Sequence, residues 1–374
     1  MLEVQGKLGF KEYFAIIILV IGTKLTDNTP PIFFHVLKNA AWISPIIQGI
    51  LVAIPLYLLI KVISHYKEQN LLKAITHLFG KYIGTFVVFI MWVIASIAIV
   101  IDSSTYSDII ESMYYPNTPA LLIYGMLMFV CAYGAKRGIE HIGSVAWIFL
   151  PLIKISFVIA IILTISHGQV NFLFPLLGPG TWTIIKESSL KLSIFMDILY
   201  LCILIPLIKN MKVFKKATWI GLIIIVVEII VAFISYTMLF DYNASEMLSY
   251  PYHEIIRYIY IGFLTNMEMF FVPLWLMAAF IRFAVYLYIN AILFGHIFKI
   301  KNFEYIIPSI ATIIVFAGLI PDSRLYTLFH FRDLFINITT PIFFFLPCLL
   351  WILAKVKGVF NQDEKTSRQV VRNT

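Results

Sequence analysis

An apolar run from Phe14 to Ile21 begins as though to cross a bilayer, and Gly22-Thr23-Lys24-Leu25-Thr26-Asp27-Asn28-Thr29-Pro30-Pro31 interrupts it. An unbroken span needs about 20 apolar residues. Here a glycine, a lysine, an aspartate and two prolines fall where the chain should still be in lipid. Proline cannot donate to the helix ladder, and it pushes the preceding residue out of the α region. Hydrocarbon offers the freed backbone groups no partner, so they must line a cavity or meet a ligand. Apolar residues resume at once from Ile32 to Leu37, which favours a broken span over a bend into a surface loop. An interrupted first helix is the main pointer to a binding site in transporter-like folds.

The rest of the chain has the same solvent in mind. Of 374 residues, 61% are hydrophobic and 13% are charged, against about 25% charged in an ordinary soluble domain. Ten membrane segments can be placed. They are Phe10–Leu37, broken as described, then Ile43–Ser64, Ile83–Ile110, Pro119–Tyr133, Ile139–Ser166, Thr181–Ile208, Thr218–Phe240, Gly262–Tyr288, Ile306–Leu319 and Leu334–Leu353. With alternating sides, 19 Lys and Arg fall on the side of the N-terminus and 4 on the other. Cytoplasmic loops are the Lys/Arg-rich ones, so both termini are expected in the cytoplasm. The formal charge of +8 reflects this bias and gives no case for nucleic acid. Lys7 and Lys11 precede the first apolar run without a small-residue cleavage site, so that run reads as a retained span. Cys131, Cys202 and Cys348 lie in apolar runs at unrelated spacings and read as small core residues.

Five plus five spans place two halves in opposite orientation. The first helix of each half is the irregular one: segment six follows Gly178-Pro179-Gly180 and carries Lys186, Glu187, Ser188, Ser189, Lys191, Ser193 and Asp197. The expected architecture is therefore an all-α polytopic membrane protein with ten transmembrane helices. It has a 5+5 inverted repeat of the leucine-transporter type, with its first and sixth helices broken. Residues 1–357 form one transmembrane domain, with repeats at about 10–166 and 181–355, and 358–374 form a polar cytoplasmic tail. Two outer stretches, 168–181 and 243–260, read as lids; the second holds an amphipathic segment after Pro251.

Ionisable groups inside the bilayer cost a few kcal/mol each and face the bundle interior or water. The inventory is Lys24, Lys154 and Lys191 against Asp27, Asp102, Asp197, Glu228 and Glu268. Mutual pairing would satisfy much of it. Glu228 has no polar neighbour on its own segment, and Arg282 reads as a snorkelling residue near the inner end of segment eight. Asp102 and Tyr106 share a helix face and, with Glu268, are placed in an outer vestibule. A small-ligand cavity is expected where Gly22, Thr23, Lys24, Thr26 and Asp27 meet Ser193 and Asp197. No metal-ligand spacing, catalytic triad or phosphate-cradling loop is present, so neither an enzyme nor a cofactor is expected.

Several short signatures recur in a telling order: Ile21-Gly22 before the proline break, Ala41-Trp42-Ile43, Asn117-Thr118-Pro119, Gly138-Ile139-Glu140, Tyr250-Pro251, Glu268 followed by Trp275, and Ile320-Pro321-Asp322. From about Phe10 to Val356 the chain resembles the spore-germination permease family, the B subunits of nutrient germinant receptors. That family looks like a branch of the amino acid–polyamine–cation superfamily. The resemblance implies a small nutrient ligand, commonly an amino acid, bound in the membrane domain. It implies an A-type membrane subunit and a C-type lipoprotein as partners, in the inner membrane of the spore. It also admits a proton-coupled amino-acid transporter, with Lys154 as the coupling residue on the fifth helix. The chain departs from the family where many relatives have Gly-x-Gly and it has Gly22-Thr23-Lys24. Family arginines near Ser104, Ser144 and Asn266 are absent as well.

Overall fold

In the computed structural model the described residues are 7–66, 70–260, 267–321 and 330–360. They are helical almost throughout. The α-helices are α1 (Phe10–Gly22), α2 (Thr29–Leu37), α3 (Ser44–Ser64), α4 (Leu71–Phe79), α5 (Lys81–Ile109), α6 (Ala120–Lys136) and α7 (Ile139–His167). There follow α8 (Thr181–Leu190), α9 (Asp197–Leu201), α10 (Met211–Met247), α11 (Pro251–Tyr258), α12 (Glu268–Phe298), α13 (Ile307–Gly318) and α14 (Arg332–Val356). Among the described residues, six helical stretches are long and apolar enough to cross a membrane; a bent pair, Thr181–Leu190 with Leu192–Leu207 at 48°, makes a seventh if counted as one span. Two shorter apolar helices are Ala120–Lys136 and Phe303–Gly318. The proposed tail beyond Phe360 and the start of segment eight lie outside the described residues.

Burial separates the central helices from the lipid-facing ones. In α1 every residue from Ala15 to Ile21 is at most 1% exposed. A helix apolar on all sides has no water-facing stripe and belongs inside a bundle; α1 packs against α7, α10 and α12. Residues 192–205 of segment six are buried as well, none more than 6% exposed. On α7, by contrast, Ile148, Leu152, Ile155, Val158, Ile162 and Ile165 form an exposed stripe at helical spacing. A soluble monomer rarely tolerates such a continuous apolar strip, whereas lipid solvates it. The molecule is a multi-pass membrane protein.

Two local devices position the centre. Leu8 pairs with Ile208 in an isolated bridge, through Leu8 N–H to the Leu207 carbonyl at 2.9 Å and Lys209 N–H to the Leu8 carbonyl at 3.0 Å. This clips the start of α1 to the end of segment six. At the opposite end, α11 lays Tyr252, His253, Ile255 and Ile256 against the bundle. Its sequence period predicted an interfacial helix, and a helix with one buried face is found there.

Candidate functional site: the ion-paired centre

The chain leaves α geometry after Gly22. A 3-10 turn covers Thr23–Leu25, and α2 restarts at Thr29 with Pro30 and Pro31 in its first turn, where a missing N–H costs nothing. The Thr29 N–H donates to Asp27 Oδ1 at 2.8 Å, a local side-chain-to-backbone bond that takes up the first N–H of the new helix. Freed carbonyls are taken up by side chains from other helices. Tyr106 donates to the Thr23 carbonyl at 2.8 Å, Tyr236 to that of Leu25 at 3.0 Å, and Lys24 to that of Ile194, in segment six, at 2.7 Å. Above this knot, Trp275 stacks on Tyr106 at 5.1 Å and donates to Thr26 Oγ1 at 2.9 Å.

Charge converges on the same place. Arg332 Nη2 contacts Asp27 Oδ2 at 2.7 Å and Asp102 Oδ1 at 3.1 Å, and its Nη1 donates to Asn28 Oδ1. Arg282 donates to Asp102 Oδ2, lies 3.5 Å from Asp27 Oδ2, and hydrogen-bonds Thr23 Oγ1 at 3.2 Å. The side chains of Arg282 and Asp27 are wholly buried. Lys24 Nζ pairs with Asp197 Oδ2 at 2.5 Å, while Tyr286 donates to Asp197 Oδ1 at 2.5 Å. Lys154 pairs with Glu228 at 2.7 Å, and Lys191 with Asp333. Five cations (Lys24, Lys154, Lys191, Arg282, Arg332) thus meet five carboxylates (Asp27, Asp102, Asp197, Glu228, Asp333), and the formal charges cancel. Buried charge is tolerable only when paired and hydrogen-bonded in this manner.

Two cavities flank the break, each about 40 Å³. That is room for a few waters, not for an amino acid. One lies between Gly22, Thr23, Lys154, Glu228 and Trp275; the other between Lys24, Asp102, Ser193, Asp197 and Arg332. Gly22 lies close to that ion pair: a Cβ there would stand 3.3 Å from Glu228 Oε2 and 3.5 Å from Lys154 Nζ, with little room for a larger side chain.

The expected residues divide into those the fold gathers and those it does not. Gly22, Thr23, Lys24, Thr26, Asp27, Asp102, Tyr106 and Asp197 converge, and Lys154 borders them through the first cavity. Ser193 reaches the second cavity, but its hydroxyl donates to the Ile336 carbonyl at 2.8 Å and its N–H to Thr340 at 3.1 Å. Asp102 is not a vestibule residue, because two guanidiniums bury it. Glu268 stays at the outer end, 3.1 Å from Arg257, away from the centre.

Two readings of single residues are corrected, those of Arg282 and Arg332. Arg282 does not snorkel. Placing the end of segment eight at Tyr288 cut α12 ten residues short; the helix runs to Phe298, which puts Arg282 about 21 Å from one end and about 24 Å from the other. Glu228, without a polar neighbour on its own segment, is paired from α7, in line with the mutual pairing expected of the intramembrane charges. Arg332, assigned to an outer loop, is the first residue of α14 and only 4% exposed. A signal for both arginines was present: three lysines against five acids left the membrane interior short of positive charge.

A helical bundle with apolar, lipid-facing stripes and a self-neutralised ionic centre defines the class, a polytopic membrane protein. Over residues 10–324 the sequence matches the spore permease family, described as spore germination protein, and the chain belongs to that family. It is 22% identical over 323 residues to spore germination protein YndE of Bacillus subtilis (strain 168), covering 84% of this chain and 86% of that protein. It is 22% identical over 286 residues to spore germination protein XB of Bacillus anthracis, covering 74% and 79%. With spore germination protein KB of B. subtilis (strain 168) the identity is 23% over 204 residues, 53% and 54% of the two chains. A germination permease role follows from this membership.

Proposed function

We propose that this chain is the B-type membrane subunit of a nutrient germinant receptor and that it senses a small ligand, an amino acid, at the paired interruptions of segments one and six. In this reading it has ten spans in a 5+5 inverted repeat, repeats at about 10–166 and 181–355 within one domain of residues 1–357, and a cytoplasmic tail at 358–374. Both termini face the cytoplasm, the membrane is the inner membrane of the spore, and an A-type membrane subunit and a C-type lipoprotein complete the receptor. The observation that supports the sensing role is the internal ion pair at the junction of segments one and six. Lys24 holds the Ile194 carbonyl and Asp197 as a ligand ammonium would, and Asp27 is committed to two guanidiniums. A ligand entering here competes with an internal ion pair, and such competition shifts a conformational equilibrium by the ligand's differential affinity for the two states. Spores lacking this chain should fail to germinate with individual amino acids that trigger wild-type spores; an unchanged response across amino acids and sugars refutes the proposal.

A second reading, proton-coupled amino-acid transport, is favoured by one observation. Lys154 and Glu228 form an ion pair beside Gly22 on the wall of a water-sized cavity, a geometry suited to proton exchange. Reconstituted protein should show no sustained proton uptake when an amino acid is added, and Lys154→Ala should alter signalling or assembly. Saturable, proton-coupled accumulation by this chain alone would replace the receptor reading with the transporter one.

A further inference from the structure

Away from the centre, α6, α7 and the middle of α12 enclose an apolar groove of about 370 Å³, within the size range of small-molecule sites. Its walls are Val130, Val145, Met277, Phe280 and Ile281, and its mouth carries Tyr133, Arg137 and His141. Val130 and Val145 are 43% and 38% exposed, so the groove opens toward the bilayer. The mouth lies where α6 ends and α7 begins, on the Lys/Arg-rich side of the membrane. There the guanidinium of Arg137 lies over the ring of Tyr133 at 5.0 Å and donates to its hydroxyl at 2.7 Å. Lys136 lies over Tyr305 at 5.6 Å. Among the described residues neither cation is paired with a carboxylate, in contrast to the ten-charge centre, where every cation is.

An exposed apolar channel that ends in cations without an ion-pair partner among the described residues is complementary to an anionic amphiphile. We infer that this groove binds an anionic phospholipid of the Lys/Arg-rich leaflet, its acyl chain along Val145 and Phe280 and its phosphate on Arg137 with His141 and Lys136 nearby. Tyr133 holds the guanidinium flat at the mouth, which leaves its remaining N–H groups free for phosphate oxygens. Because the groove touches α12, which carries Arg282, an occupied groove would brace the helix that supports the ionic centre. The inference is independent of which ligand, if any, the centre takes.

The test uses full-length protein in neutral detergent, offered equimolar phosphatidylglycerol and phosphatidylcholine, with retained lipid counted by native mass spectrometry. Wild type should prefer phosphatidylglycerol by about fivefold or more, the effect of roughly one basic residue at an anionic interface. Arg137→Glu should abolish the preference, and Val145→Trp, which fills the groove, should lower retention of both lipids. Equal retention of the two lipids by wild type overturns the proposal, as does a preference that survives both substitutions. A photo-crosslinker at position 145 that captures a protein helix instead of lipid in native membranes overturns it too.

Discussion

Replacing Arg282 by methionine probes the centre most sharply. The change keeps an unbranched apolar stem, shortens the side chain and removes one charge from a fully buried position. It breaks the bond to Asp102, the 3.5 Å contact to Asp27 and the bond to Thr23 Oγ1. Breaking a buried ion pair from one side costs about 3–5 kcal/mol, although the intact pair adds little over an apolar replacement. Arg332 still contacts both carboxylates, so the lower end, about 3 kcal/mol, is expected for Arg282→Met. At roughly 2 °C per kcal/mol for a chain of this size, the melting temperature in detergent should fall by about 6 °C. Asp102→Leu should cost a similar amount, because it strands the Arg282 guanidinium. The double variant removes one charge of each sign and leaves Arg332 on Asp27. It should cost about 3 kcal/mol less than the two singles together, a coupling at the upper end for contacting residues. Fluorescence-detected size exclusion after heating measures all four proteins. A melting temperature for Arg282→Met within 2 °C of wild type, or a double variant equal to the sum of the singles, refutes the ion-paired description.

Other substitutions probe the interruption and the outer helix. Gly22→Ala should be tolerated, since its Cβ meets only the movable ends of Glu228 and Lys154; Gly22→Leu should abolish the nutrient response while protein levels in spore membranes stay normal on immunoblots. Lys24→Gly should vacate the Asp197 position and change nutrient preference in a germination screen; an unchanged specificity profile speaks against internal occupation. His253 on α11 gives a pH dependence. Burial, aided by the Arg257 charge and opposed by the Thr26 backbone, pushes its pKa down from 6.5 to about 3. The unfolded state therefore binds the extra proton, so stability is full above pH 6.5 and is lost as pH falls toward 3. At pH 5 the loss is about 2 kcal/mol, and His253→Gln should remove it; equal pH 7-to-5 shifts in melting temperature for both proteins contradict this.

Read without coordinates, the chain already declared its membrane class and the ends of most of its helices. Segment five was placed at Ile139–Ser166 and α7 spans Ile139–His167. Those features are local: hydropathy, proline's missing N–H and the Lys/Arg bias act within a few residues of where they are written. Partnership is not local. Lys154 finds Glu228 74 residues away, Arg282 finds Asp102 at a separation of 180, and Arg332 reaches back 305 residues to Asp27. Hydropathy gives neither the rotation of a helix about its axis nor its depth relative to a neighbour. Glu228 therefore looked isolated on its own segment, and Arg282 looked peripheral once its helix was drawn too short. The sequence by itself required that intramembrane charges be matched, because an unpaired one is too costly in lipid. Which carboxylate receives which cation was decided only by the packing of α5, α7, α9, α10, α12 and α14 around the first segment, since ion pairs form between groups within about 4 Å and only the tertiary arrangement sets those distances.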